Sequence, residues 1–374
     1  MNMLEQAHTL AARIAPLAAG WEDARTMADQ EIRYAIKSGF GSLLVPVDKG
    51  GHGANNVLTT QILETIGAVD LPFAFSLVVH NNLAASVARL GSIAQVDRYL
   101  ARMREGSTLG AFCLTEPDAG TDAAAIKTTA RREGAGWQLD GAKAWVTSAH
   151  KANLFCIYAQ TDPAAGTAGI ASFLVDRDAP GLTVEAPYKL IGCHSMGTAG
   201  LQLANCRVDD SALFLEPGEG FKGAMVGIDL ARVLLSGMCC GALAAGLNIA
   251  LEYAGRRRVF GRNLLDFQGL EWMLADVATD LHAARLMTYD AAAKLDAGER
   301  ATVAAAHTKK FTTRAAMAGL TQCMQAMGAA GLRAEGPVAR HFAAAKVAQY
   351  LDGTTEVQNI VIARSLKSGL SVST

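Results

Sequence analysis

The sequence predicts a mostly α-helical protein with a β domain at its centre, in the order helices, strands, helices. Three observations carry this. Across residues 4–103 apolar side chains recur at spacings of three and four. Across 109–217 the texture changes to short runs bounded by Gly, Pro, Asp or Asn. From Gly220 onward long helical periods return. A chain of 374 residues is long enough for two or three packed units. The texture changes divide it into an N-terminal helical domain (1–108), a central β domain (109–218) and a C-terminal helical bundle (219–374).

In the first unit QEIRYAIKSGF and VLTTQILETIGA read as amphipathic helices, punctuated by Gly39, Gly50, Gly51 and Gly53. In the second, WQLDGAKAWVTS, LFCIYAQTD, GIASFLVDRD, LTVEAPY and LQLANCRVD have the length and turn residues of strands. In the third, long helices are expected over 221–255, 268–297 and 299–330, and shorter ones over 337–349 and 354–367. The 19 residues 233–251 carry no charge, long enough to span a membrane. Their serine, cysteines, asparagine and glycines instead predict a helix buried among other helices, with no membrane span.

Composition narrows the function. A net charge of −1 lacks the electrostatic footprint of a nucleic-acid or anionic-membrane protein. With 51% hydrophobic and 18% charged residues the chain is too apolar for disorder, and its composition hints at buried subunit interfaces. Seven cysteines without a CxxC pair suggest neither a disulfide framework nor a zinc ribbon. They read as reduced, buried thiols, and the N-terminus shows no export signal, so a cytoplasmic protein is expected.

Four segments carry candidate chemistry. FCLTEPDAGTD (112–122) reads as a strand carrying Thr115 that breaks into a loop of exposed donors, suited to the edge of a flat heterocycle, or simply as a structural turn. GAKAWVTSA (141–149) places Trp145 and Thr147 two apart, hence on one strand face, as an aromatic plane with a hydroxyl or as core residues. GRRRVFGRNLLDFQ (255–268) offers four arginines about a Phe-Gly turn, for a phosphate or as a helix cap facing water. YLDGTTEVQNIVIARSL (350–366) sets Asp352 before a helix, either as N-cap or as a reactive carboxylate. Gly218, Gly220 and Gly223 match GxGxxG, but two helices follow with no βαβ unit, so they read as a flexible hinge.

Together, in this order and at these separations, the four segments resemble the acyl-CoA dehydrogenase family of flavoenzymes, over about 4–366. The resemblance implies helical N- and C-terminal domains around a β-barrel-like middle domain, the last being a four-helix bundle. It also implies FAD lying between the subunits of a homo-oligomer, a tetramer or at least a dimer. By resemblance, Phe112, Leu114, Thr115, Trp145, Thr147, Arg257, Phe260, Gln268, Gln325, Gly328, Thr354 and Glu356 fall on FAD-contacting positions. Thr121, Asp229, Arg232 and Gly353 fall on substrate-site positions, and Asp352 on the catalytic base.

The implied reaction is α,β-dehydrogenation of an acyl-CoA: the carboxylate takes the α-proton, the β-hydrogen leaves as hydride to flavin N5, and an electron-transferring flavoprotein accepts the electrons. The chain departs from the family in having Asp352 where most members have Glu, and Ala231 where a minority place that Glu. Asp is shorter by about 1.3 Å, against a proton-transfer distance of about 2.6–3.2 Å. A short, branched or cyclic acyl group is the first expectation. A nitroalkane-oxidase-like enzyme, a β-eliminating relative and a non-catalytic flavin-binding homologue are the alternatives. Smaller departures are Val259, Ala329 and the pair Ala343–Ala344. Phe75, Val79, His80 and Leu83 are candidates for the acyl pocket by position, His80 reading more readily as a hydrogen-bonded packing residue.

Overall fold

The computed structural model describes residues 2–367. Six helices come first: α1 (Met3–Ile14), α2 (Ala18–Asp23), α3 (Asp29–Ala35), α4 (Asn56–Gly67), α5 (Leu71–Leu90) and α6 (Ile93–Arg104). Their starts are written locally: Asn2 and Glu5 form a capping box on α1, and the Asp70 carboxylate accepts the Phe73 N–H at the start of α5. Strands follow: β1 (Gly110–Cys113), β2 (Thr129–Glu133), β3 (Gly136–Val146), β4 (Leu154–Gln160), β5 (Ile170–Asp176), β6 (Leu182–Val184), β7 (Ala199–Asp209) and β8 (Leu213–Leu215).

Then come α7 (Gly220–Arg256), a hairpin of β9 (Arg258–Val259) and β10 (Arg262–Asn263), α8 (Gln268–Asp296), α9 (Thr302–Met327), α10 (Pro337–Ala348) and α11 (Thr355–Lys367). Helices therefore flank a β domain on both sides, as the sequence predicts.

The eight-stranded sheet runs β6-β7-β3-β2-β4-β5-β8, with β1 parallel to β4 off that path. One face of nearly every strand points into a single core: Phe155 and Ile157 on β4, Phe173 and Val175 on β5, Leu139 on β3 and Leu201 on β7. The sheet thus wraps around its own side chains, as a barrel-like domain does. Strand β4 is buried on both faces. Its alternate residues Leu154, Cys156 and Tyr158 leave the barrel and join Leu83, Val87 and Tyr99 of α5 and α6 in a second cluster. That shared cluster fixes the N-terminal helices to the sheet.

A third cluster joins α5 and α7 to the rest of the bundle. Helices α4 and α7 touch through glycines: a Cβ on Gly241 would lie 2.0 Å from the Glu64 carbonyl, and one on Gly67 would lie 2.9 Å from the Met238 Cα. Helices α5 and α7 are long and apolar enough to cross a membrane by composition, but 83% and 78% of their most apolar windows are buried inside the protein. The uncharged segment is a core helix.

Of the glycines at the β-domain junction, Gly220 is tightly packed and Gly218 is left-handed with more open space around it. A Cβ on Gly220 would stand 2.6 Å from the Ile170 carbonyl of β5, so α7 starts in direct backbone contact with the sheet. All seven cysteines are free and buried.

Gly241→Ala is expected to lower stability by about 1–3 kcal/mol, because backbone must move. Gly255→Ala, at the open end of α7 with nothing within 4 Å, is expected to be neutral or stabilising by up to about 1 kcal/mol. Urea unfolding of the two variants checks the pair.

Candidate active site

A narrow cleft of about 70 Å³ opens where α5, α7, the outer face of β1 and β4, and the turn before α11 meet. Val79, Asn82, Leu83 and Ser86 line it from α5, Ile228 and Ala231 from α7, and Phe112 and Tyr158 from the strands. Asp352 closes one side and is the only charged residue among the described lining residues.

Asp352 reaches the cleft because α10 ends at Ala348 and the chain turns back through two left-handed residues, Asp352 (φ +51°) and Gly353 (φ +93°). Aspartate and glycine tolerate that region better than most residues. Asp352 does not cap α11: the helix begins at Thr355 and the carboxylate is hydrogen-bonded to none of the described residues. The turn is held by its carbonyls instead. Lys309 Nζ on α9 donates to the Gln349 carbonyl at 2.9 Å and to the Gly353 carbonyl. Arg232 Nε donates to the Asp352 carbonyl at 2.9 Å, and Gln358 Nε2 to that of Gly353 at 3.0 Å.

Arg232 is fixed in turn by Asp229 (2.9 Å), whose other oxygen accepts from Thr302 Oγ1 at 2.6 Å. Burial pushes the Asp352 carboxyl up to about 6, against the opposing pull of the Lys309 and Arg232 charges. Burial pushes Lys309 down, to about 8, with Asp352 pulling the other way. Asp229 and Arg232 therefore meet at Asp352 through the turn, and Arg232 spends its guanidinium on protein groups.

The first loop is organised by an ion pair that the sequence reading missed. Lys143 and Glu116 pair at 2.8 Å with side chains 0% and 5% exposed. Glu116 also accepts the N–H groups of Lys127 (2.6 Å) and Thr128 (2.9 Å), and Lys143 donates to the Leu114 carbonyl at 3.1 Å. This closes the loop that carries Leu114, Thr115 and Thr121. Thr115 stands beyond the end of β1, which stops at Cys113, so it is not a strand residue. Its carbonyl accepts the Ala144 N–H at 2.9 Å, placing it beside Trp145.

The expectation that Trp145 and Thr147 share a strand face fails. Between Lys143 and Val146 the ladder shifts register, Trp145 is left-handed (φ +59°), and β3 ends before Thr147. A bulge breaks the two-residue period. Trp145 is 57% exposed and tilts against Tyr188 (centroids 4.7 Å apart), whereas Thr147 is buried. An open indole beside Thr115 is chemically suited to contact with a flat ring.

A second group lies at the other end of the bundle. Phe260 and Gly261 are left-handed and turn the β9–β10 hairpin, as a two-residue turn requires. Arg256 pairs with Glu252, Arg258 donates to the Gly261 carbonyl, and Arg262 lies over the Phe267 ring. The Arg257 side chain has no such contact with the described residues and is exposed. Gln268, Gln325 and Gly328 are also exposed, at the adjoining ends of α8 and α9. Arg257 is 25 residues (257 minus 232) along α7 from Arg232, about 37 Å at 1.5 Å per residue. Within one chain this group and the Asp352 cleft do not meet. Thr121 and Glu356 are exposed and Thr354 half-buried beside Asp352.

Of the acyl-pocket candidates, Val79 and Leu83 line the cleft, but Phe75 is in the helical core. His80 is a packing residue: buried, neutral with its pKa lowered to about 4 by burial, it donates from Nε2 to the Met103 carbonyl and accepts the Gly110 N–H at Nδ1. The sequence reading missed Lys309, although it repeats at helical spacing with Ala305, Thr312 and Ala316 on the buried face of α9, a pattern that marks a lysine as unusual.

The chain matches the family models for the N-terminal (residues 3–107), middle (111–206) and C-terminal (218–367) domains of acyl-CoA dehydrogenase. It is 33% identical over 352 residues to the human short-chain specific acyl-CoA dehydrogenase, covering 94% of this chain and 85% of that one. The butyryl-CoA dehydrogenase of Megasphaera elsdenii superposes with a TM-score of 0.94 at 31% identity, over 98% of this chain and 97% of that one. A glutaryl-CoA dehydrogenase of Mycobacterium smegmatis solved with FADH2 does so with a TM-score of 0.93 at 26% identity, over 99% and 95%. The chain belongs to the acyl-CoA dehydrogenase family, the FAD-dependent oxidoreductases acting on CH–CH bonds.

Proposed function

We propose that the protein dehydrogenates the Cα–Cβ bond of a short acyl thioester, with Asp352 as the base that takes the α-proton. The observation that carries this is the Asp352 carboxylate: Oδ2 is buried without a hydrogen-bond partner among the described residues, at the wall of an otherwise uncharged cleft, while Lys309, Arg232 and Gln358 hold its turn through backbone carbonyls. A carboxylate so placed is free to accept a proton, and desolvation makes it a stronger base than in water. FAD, when bound, supplies the acceptor for the β-hydride. Thr115, Trp145 and Thr147 hold its ring, with Phe112, Leu114, Thr354 and Glu356 around them.

The Asp352 backbone N–H is hydrogen-bonded to none of the described residues, so it is available to the thioester oxygen as charge builds there. Asp229, Arg232 and Gly353 serve the substrate site by fixing the turn, and Thr121 lies on the loop expected to meet the CoA portion. The missing methylene of Asp352 is made good by an acyl group whose α-carbon sits close to the turn.

Arg257, Phe260, Gln268, Gln325 and Gly328, too far from their own cleft, complete the FAD site of a second copy. The working form is therefore a homo-oligomer, a tetramer by resemblance. Trp272 and Leu286 on α8, 62% and 60% exposed in the single chain, supply apolar surface for such an interface. An electron-transferring flavoprotein is the proposed acceptor, and the free thiols accord with a reducing cytoplasm. Because Asp352 replaces the family Glu, a nitroalkane-oxidase-like reaction is the second reading, and oxygen uptake with a nitroalkane but no flavin bleaching by thioesters would select it.

Anaerobic titration with straight, branched and cyclic acyl-CoAs is expected to bleach the oxidised flavin with one class, and Asp352→Asn to slow that step by about 10²–10⁴-fold. Only ionised Asp352 accepts a proton, so the bleaching rate is expected to rise about tenfold per pH unit below its pKa of about 6 and to level off above it. Lys309→Met withdraws a positive charge and is expected to move that midpoint to higher pH. A purely structural lysine would lower the rate without moving the midpoint.

A further inference from the structure

We propose, resting on the dehydrogenase reading above, that Thr302 is a positioning residue for the reaction. Its hydroxyl, acting through Asp229 and Arg232, sets the turn that presents the Asp352 carboxylate and backbone N–H. The relay is a chain of three hydrogen bonds. Thr302 Oγ1 donates to Asp229 Oδ2 at 2.6 Å, Arg232 Nη1 donates to Asp229 Oδ1 at 2.9 Å, and Arg232 Nε donates to the Asp352 carbonyl at 2.9 Å.

The middle links are shielded from water: the side chains of Asp229 and Arg232 are 16% and 7% exposed. They stand three apart on α7, hence on one face of the helix. A carboxylate held by Arg232 alone is free to turn about its Cβ–Cγ bond, and a second donor on its other oxygen fixes its plane. The guanidinium is itself planar, so an anchor on Nη1 directs Nε as well. Its Nη2 lies close against the turn, where a Cβ on Gly353 would stand 3.2 Å from it.

Thr302 is placed for this role by the start of its helix. α9 begins at Thr302, and the preceding Ala301 supplies no side-chain cap. Further along the same helix Thr313 and Thr321 donate to the carbonyl four residues back. At the first position no helical carbonyl lies four residues back, and the hydroxyl crosses to α7 instead. Among the side chains that hold the Asp352 turn, those of Lys309 and Gln358 bond to carbonyls of the turn. Arg232 is oriented by a further side chain, and that one by Thr302.

Loss of the hydroxyl has two consequences. Asp229 turns on its remaining partner and draws Arg232 with it, so the left-handed Asp352 loses one of the ties that keep it in that conformation. The charges that bear on Asp352 are Arg232 of α7 and Lys309 of α9, with Glu356 of α11 acting on Lys309. Withdrawal of Arg232 weakens the support for the ionised carboxylate and raises the pH at which it titrates.

The test follows anaerobic flavin bleaching across pH, with whichever of butyryl-CoA, isobutyryl-CoA and cyclohexanecarbonyl-CoA bleaches the FAD-loaded wild type fastest. Thr302→Val is expected to slow the saturated rate about tenfold or more and to move its pH midpoint upward, with the thioester Kd changed less than about threefold. Thr302→Ser is expected to stay within about threefold of wild type at an unmoved midpoint. Added to Asp229→Asn, the valine is expected to cost less than about a further twofold, as residues acting in one chain do. Thr288→Val, which removes a buried hydroxyl that donates within its own helix, is the control and is expected to match wild type. An unmoved midpoint, a loss shared by Thr302→Ser or Thr288→Val, or full additivity with Asp229→Asn overturns the proposal.

Thr302→Ala repeats the comparison should the valine prevent folding. Hydrogen exchange of peptides covering 349–358 in the FAD-loaded protein, read by mass spectrometry, reports on the turn without turnover. Exchange there is expected to speed about tenfold in Thr302→Val and in Asp229→Asn, and not in Thr302→Ser. If no thioester bleaches the wild-type flavin but exchange responds in this way, the dehydrogenase reading fails while the relay stands. Unchanged exchange overturns it.

Discussion

The arrangement on which the candidate active site depends is the set of donors from Lys309, Arg232 and Gln358 to the carbonyls of the turn at 349–353. A reactive carboxylate buried in an apolar cleft would ordinarily be neutralised by the nearest cation in a direct pair. Here the cations are near enough to favour ionisation, yet they donate to backbone oxygens and, for Arg232, to Asp229. The charge is stabilised at a distance and the oxygens stay open. The same contacts hold Asp352 and Gly353 in the left-handed region, which a free chain would rarely visit. One set of hydrogen bonds thus serves shape and basicity together.

That set ties α7, α9 and α11 at a single point, because Arg232, Lys309 and Gln358 come from different helices. The tie depends in turn on close helix packing. Glycines let α4 and α7 meet backbone to backbone, and Gly220 seats the start of α7 on β5. The two-faced burial of β4 locks the sheet to α5 and α6, so the cleft wall carrying Asn82 and the strand carrying Tyr158 are placed by one core. The Glu116–Lys143 pair does for the Thr115 loop what Lys309 does for the Asp352 turn: a fully buried charge with several hydrogen bonds fixes an irregular segment.

The long α7 has a further consequence. Because a straight helix of 37 residues holds its two functional ends far apart, residues that the resemblance assigns to one cofactor fall on opposite ends of the bundle. A second copy is the simplest way to unite them, and the exposed apolar side chains of α8 and the Phe260 hairpin are surfaces a monomer would not be expected to show.

What the sequence determined by itself is what short-range periodicity encodes. The order of helical and β units, the buried nature of the uncharged stretch in α7 and the Phe-Gly turn followed from spacing and turn chemistry, and the four motifs were specific only in their joint order. The position of Asp352 before a helix was equally plain, but its role was not, since a cap and a base differ only in what the carboxylate touches. Tertiary structure alone decided that the carboxylate caps nothing and is hydrogen-bonded to none of the described residues. It also decided that Trp145 and Thr147 part company, because a bulge is set by pairing with β7 and not by the residues themselves.

Glu116 with Lys143, and Asp352 with Lys309, lie 27 and 43 residues apart in sequence (143 minus 116, 352 minus 309). Such pairs are fixed by long-range packing, which no local pattern reports. The difference between Asn81 and Asn82 is of the same kind: identical residues side by side, one turned into the protein and one into the cleft, separated only by the 100° that a helix rotates per residue.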